Sequence, residues 1–164
     1  AIDAGGRASP HILDILQPVL ERLGQVYPSL DAYLQNIRES SSSVHPWNDF
    51  WERYYRSDVE ILRDGTVTLR TSRAAVEEEM IVNATINTDV LLPVIKAPTL
   101  ILQAGQGTRQ PNWFVLPQEE AKRVHGLIKG SILEKIPDGN HYTIIYSEIF
   151  TRKVLDFLAA RSTE

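Results

Sequence analysis

The stretch Thr99-Leu100-Ile101-Leu102-Gln103-Ala104 narrows what this chain can fold into more than any other. It is apolar almost throughout, opens after Pro98 and closes at Gly105, so it reads as a strand covered on both faces, as in a parallel sheet. A helix is expected from Pro117, with proline in its first turn, then a second strand over Ser131–Ile136. A last amphipathic helix is expected over Tyr146–Leu158, with Ile149, Phe150, Val154, Leu155 and Leu158 facing inward. Strand, helix, strand, helix implies an α/β fold with parallel pairing and helices as crossovers. Two parallel strands do not make a stable open sheet by themselves, so its remaining strands must come from elsewhere.

The preceding residues have a different texture. Apolar positions Ile12, Ile15, Leu16, Val19, Leu20 and Leu23 predict a helix over 11–23, which Pro18 should kink or divide. Leu30, Tyr33, Leu34 and Ile37 predict a second helix over 28–37, and the polar, turn-rich run RESSSSVHP should follow it as a loop. An aromatic helix is expected over Asn48–Tyr55, with Trp47, Phe50, Trp51, Tyr54 and Tyr55 buried against other helices. The same density also suits a substrate-pocket wall, and Trp47 and Trp51 are the candidates for it. Residues 58–70 read as a hairpin about an Asp-Gly turn, a minor surface element if little covers it. Ser72 should cap a helix over 73–86, and 87–96 should hold a short helix or turn.

Composition enters mainly through what it disfavours. A formal charge of −4 with scattered basic residues gives no surface that would track phosphates, so nucleic acid is not an expected partner. There is no cysteine, hence no disulfide and no thiolate zinc site. No apolar run reaches the roughly 18 residues a membrane span requires, and the N-terminus AIDAGGRASP lacks the basic flank and apolar core of a signal peptide. A cytoplasmic location is the expectation. No histidine or carboxylate cluster has metal-ligand spacing, and Gly105-Gln106-Gly107 lacks the lysine of a phosphate loop, so neither metal nor cofactor is implied.

The stretch PDGNHYT, residues 137–143, ends the second strand in a glycine turn and places there one of only four histidines. Together, the Ala-Pro-Thr-Leu-Ile-Leu strand, the helix, the strand ending Ile136-Pro137 and the histidine after glycine resemble the end of the α/β-hydrolase fold. The resemblance implies the C-terminal part of an α/β-hydrolase sheet with an inserted, mainly helical cap. Residues 1–7 would be the end of a core strand and its loop, 8–92 the cap, and 93–164 the C-terminal part of the core. The resemblance also implies a G-x-S-x-G serine elbow, which these residues lack, so the nucleophile is expected upstream of Ala1. The N-terminal portion of the same protein is then an expected partner.

Under that resemblance His141 is the catalytic base. The usual acid position, a few residues after the 99–104 strand, is Thr108, which cannot supply a charge; some members take the carboxylate from the end of the preceding strand, where Asp3 stands. Asp138 is too close in sequence to reach the rear of the His141 ring and is expected to cap its turn. His125 is expected to be solvated, and His11 and His45 to lie in the cap. Trp113 and Phe114 are candidates for the rim of the substrate pocket. The implied activity is hydrolysis of an ester or related acyl bond of a small to medium, largely apolar substrate by a Ser-His-acid triad. Carbon–carbon, epoxide or haloalkane hydrolysis and a non-catalytic, ligand-binding member are the alternatives.

Overall fold

The computed structural model describes residues 1–161, Ala84 by its backbone alone; residues 162–164 of the expected core segment lie outside the described residues. In chain order the elements are α1 (Ile12–Arg22), β1 (Val26–Tyr27), α2 (Leu30–Ser41), α3 (Asp49–Ser57), β2 (Val59–Ile61) and β3 (Val67–Leu69). They continue with α4 (Arg73–Thr85), α5 (Thr88–Leu91), β4 (Leu100–Ala104), α6 (Gln118–Leu127), β5 (Ile132–Ile136) and α7 (Glu148–Ala159). Two compact units result, one of Ala1–Ile15 with Asn87–Glu164 and one of Leu16–Ile86, the chain crossing between them inside α1.

In the first unit β4 and β5 pair in parallel from Leu100↔Ile132 to Ala104↔Ile136. Alternation along β4 covers both faces, as its apolar run requires. Ile101 packs with Leu92, Leu116, Ala121, Val124 and Ile128 on one side. Leu102 and Ala104 pack with Ile136 and Ile144 on the other, where Ile149, Phe150 and Val154 of α7 close the layer. Leu155 and Leu158, expected inward, are exposed instead. Ser147 caps α7 by accepting from the Ile149 and Phe150 N–H groups, so the helix starts two residues later than expected. Residues 1–3 add a third parallel segment beside β4 through the bridge Ile2↔Leu102.

The second unit corrects the sequence reading in three places. Residues 58–70 do form a hairpin, but β1 joins it as a third antiparallel strand in the order β1-β3-β2. Val59, Val67 and Leu69 are buried, so this sheet belongs to the core and is no minor surface element. The pattern missed β1 because two residues, Val26 and Tyr27, carry no periodicity. Helix α2 runs on to Ser41, where the run of serines suggested a loop: the Ser41 hydroxyl donates to the Ile37 carbonyl at 2.7 Å, within the helix. Pro18 sits inside α1 without dividing it. Its ring nitrogen cannot donate to the Asp14 carbonyl four residues back, and Asp14 is an exposed residue.

The aromatic helix is divided by face. Trp51 and Tyr55 are buried, whereas Phe50 and Tyr54 are exposed. Asn48 caps α3 by accepting from the Phe50 and Trp51 N–H groups, which fixes the rotation that turns Trp51 inward. Among the described residues no helix is long and apolar enough to cross a membrane.

Candidate active site

The carboxyl end of the parallel sheet begins with residues 1–3. Leu102 N–H donates to the Ala1 carbonyl at 2.9 Å, and Asp3 N–H donates to the Leu102 carbonyl at 2.7 Å, which sets Asp3 one step beyond the last paired position. Asp3 has φ 44, a left-handed conformation that aspartate and asparagine adopt most readily among side-chain-bearing residues. That turn directs its side chain across the end of β4. Asp3 is 1% exposed, and a carboxylate so buried must be matched by donors. Oδ1 accepts from the Ala104 N–H at 2.9 Å, and Oδ2 lies 3.0 Å from Nδ1 of His141.

His141 is held by the loop after β5. A Cβ at Gly139 would come within 2.7 Å of Ile144 Cα, so only glycine fits where this loop folds back on itself. Asn140 precedes the histidine and is buried. Its Oδ1 accepts from Tyr142 N–H at 2.9 Å, Thr143 N–H at 3.1 Å and Thr143 Oγ1 at 3.2 Å. Gln106 N–H donates to the Gly139 carbonyl at 3.0 Å, joining the loops after β4 and β5. The Tyr142 ring meets the imidazole edge-on, 5.5 Å between centroids. The ring is thereby fixed, 35% exposed, with no hydrogen bond to Nε2 among the described residues. A base whose rear nitrogen faces a buried carboxylate and whose front nitrogen is open can accept a proton from a nucleophile.

Asp138 does not simply cap its own turn: its Oδ1 accepts from the Ser147 hydroxyl at 2.7 Å, tying the histidine loop to the start of α7. Thr108 is buried, and both its N–H (2.7 Å) and its Oγ1 (3.1 Å) donate to the Trp113 carbonyl. Trp113 and Phe114 are half-buried in that loop, and the Trp113 ring stacks on His11 at 5.6 Å. His11 belongs to the first unit. His125 is exposed, with Nδ1 2.8 Å from Ser131 Oγ.

Trp47 and Trp51 lie in the second unit. Trp51 is a core side chain there, its ring 3.7 Å from that of His45 and nearly parallel to it. Trp47 is half-buried, stacked near Tyr55 and beneath the Arg38 guanidinium. His45 is buried with Nε2 3.1 Å from the Tyr55 hydroxyl, and burial lowers its pKa below the ordinary histidine value. Among the described residues no three histidine or carboxylate groups converge as metal ligands would.

Sequence reasoning missed the fixing role of Asn140, although Asn140 and Thr143 flanking the histidine are the spacing of a side-chain-closed turn. It also missed Thr108 as a loop anchor; nothing local distinguishes that threonine from a surface one.

Comparison with solved structures bears on the arrangement as a whole. The structure of an E-2-(acetamidomethylene)succinate hydrolase superposes with a TM-score of 0.76 at 16% identity, over 97% of this chain and 56% of that one. An α/β hydrolase from Novosphingobium aromaticivorans gives 0.63 at 18% identity, over 95% of this chain and 54% of that one. This chain has the fold of the C-terminal portion of an α/β-hydrolase. A marine microorganism esterase matches likewise, at 0.62 and 16% identity, over 95% of this chain and 58% of that one. The chain thus spans about half the length of the α/β-hydrolase structures it matches. No protein-family model matches the sequence, and no curated protein matches it significantly.

Proposed function

We propose that this chain is the histidine- and acid-bearing part of a serine-type α/β-hydrolase that cleaves an ester or related acyl bond. The observation that carries the reading is the 3.0 Å contact between His141 Nδ1 and the buried Asp3 carboxylate. In this reading Asp3 keeps the proton on Nδ1, so Nε2 is the basic nitrogen. A serine from polypeptide preceding Ala1 attacks the substrate carbonyl and passes its proton to Nε2. The imidazolium, stabilised by Asp3, returns that proton to the leaving group; water then repeats the cycle on the acyl-enzyme. Asp3 takes the acid's role because Thr108 is committed to the Trp113 carbonyl.

The edge of the sheet supports a contribution from upstream polypeptide. Leu102 bonds residues 1 and 3, so the N–H and C=O of Ile2 point away from β4. An apolar groove lined by Ile2, Pro98, Leu100, Val154, Phe157 and Leu158 opens beside that edge. An added strand would satisfy the first and cover the second. The second unit is read as the cap, and Trp113 and Phe114 as an apolar substrate wall, which favours a small to medium, largely apolar substrate.

Labelling the full-length protein with a fluorophosphonate tests the reading. The expected result is one modified serine upstream of Ala1, with labelling lost in His141→Ala. Absence of label beside a reactive control hydrolase would favour a ligand-binding protein without turnover. Label on a serine within residues 1–161 would overturn the assignment of the nucleophile.

A further inference from the structure

In an open parallel sheet, ligands bind outside the carboxyl ends of the strands. Three loops leave that end here: residues 4–11 after Asp3, residues 105–117 after β4, and residues 137–147 after β5. The first begins at the acid and the third carries His141. The second holds no carboxylate between Gly105 and Pro117, so whatever it contributes is not charge of that sign.

That loop closes on itself. Thr108 donates twice to the Trp113 carbonyl, Trp113 N–H donates to the Gln110 carbonyl at 3.1 Å, and Gln110 N–H donates to the Thr108 carbonyl. A Cβ at Gly107 would collide with the Gln110 carbonyl, so glycine is required for the closure. The closure fixes the backbone of Trp113. Its ring lies 16° from parallel with the imidazole of His11, which ends the first loop. His11 is held in turn by its N–H to Ser9 Oγ at 3.3 Å, with its Nδ1 3.8 Å from Asp14. Neither ring joins the two apolar clusters that flank β4, and the His11 side chain is 39% exposed.

Two of the three loops therefore present a pair of flat rings, half-open to solvent, at the end of the sheet where the third presents His141. We infer that the His11–Trp113 stack is a recognition wall for a flat, aromatic part of the substrate, and that Thr108 positions it. The inference rests on the hydrolase reading and narrows its substrate class. A flat ligand group can extend a parallel stack, whereas a flexible alkyl chain gains only the apolar area it covers. Thr108 would then have a task in place of the acid: it holds the wall from which an acid in its position would be absent.

The test compares methyl phenylacetate with methyl hexanoate, hydrolysed by the full-length protein and followed by pH-stat. In His11→Ala and Trp113→Leu the aryl-to-alkyl ratio of kcat/KM should fall about tenfold, chiefly through KM. Trp113→Phe should restore most of the ratio, and Thr108→Val should lower it in the same direction. An unchanged ratio in both His11→Ala and Trp113→Leu overturns the inference. If the unaltered protein hydrolyses neither ester, fluorophosphonate labelling decides the hydrolase reading and calorimetric titration with phenylacetamide decides the wall. Binding that His11→Ala abolishes supports it; binding that the variant retains, or no binding at all, overturns it.

Discussion

In the unit built on β4 and β5, Asp3, Gln103, Thr108, Asn140 and Ser147 are buried, and each is tied by its side chain to a backbone group or to another loop. In the unit built on β1, β2 and β3 the interior is mostly apolar and aromatic, Tyr33, Ile37, Trp51, Tyr55, Val59, Val67 and Leu69 among it, with His45 and Ser41 buried as well. The first arrangement fixes directions, because a hydrogen bond weakens steeply when its angle changes. The second fills volume, and its energy follows the apolar area removed from water. Substitutions in the two units should therefore fail differently, one kind in rate and the other in stability.

The largest effect should be seen where direction matters most. His141→Gln is expected to lower kcat on the order of 10⁶-fold, with the denaturant midpoint unchanged. Asp3→Asn should lower it on the order of 10⁴-fold. The reason is visible in the bonding: Ala104 N–H needs the amide oxygen, so the amide nitrogen faces His141 Nδ1 and forces the imidazole proton onto Nε2. Steady-state kinetics and urea unfolding of the full-length variants check both; a loss of activity matched by a loss of stability would break the contrast.

Next in size, Trp51→Ala should destabilise the second unit by about 3–5 kcal/mol, read from urea unfolding. A cost below about 1 kcal/mol would mean that the buried ring is not close-packed.

The smallest effect is a pH dependence. Burial lowers the folded-state pKa of His45 below its unfolded value, so the unfolded chain binds the proton more readily. Its contribution to stability is complete above the unfolded value of about 6.5 and is lost as pH falls through that value towards the lower folded one. Unfolding midpoints between pH 7.5 and 5 should decline, and His45→Gln should flatten the decline. An identical slope in the variant would sink the assignment.

The same contrast explains what was legible in the sequence. The strand at 100–104 could be read because an apolar run with glycine after it has few alternatives; its order with α6 and β5 gave an α/β fold, and only the family resemblance narrowed that to the α/β-hydrolase fold. The hairpin was visible in the Asp64-Gly65 turn, but not its burial, which depends on β1 pairing with β3 across some forty residues. Asp3 could be named only through a family resemblance, because its place beside β4 arises from a contact 101 residues away in sequence. Thr108 and Asn140 act through backbone groups, and backbone hydrogen bonding leaves no composition signal. Leu155 and Leu158 fit a helical period yet remain exposed, because periodicity locates a face without saying what covers it.

The left-handed backbone at Asp3 has one more consequence, for how such chains diverge. Aspartate and asparagine are the side chains that sit comfortably at φ 44, and asparagine at this site locks the imidazole in the tautomer that cannot act as a base. In the proposed hydrolase, drift at position 3 would thus have one inexpensive exit, from turnover to silent binding. Sequencing relatives at that single codon would sort working lineages from retired ones.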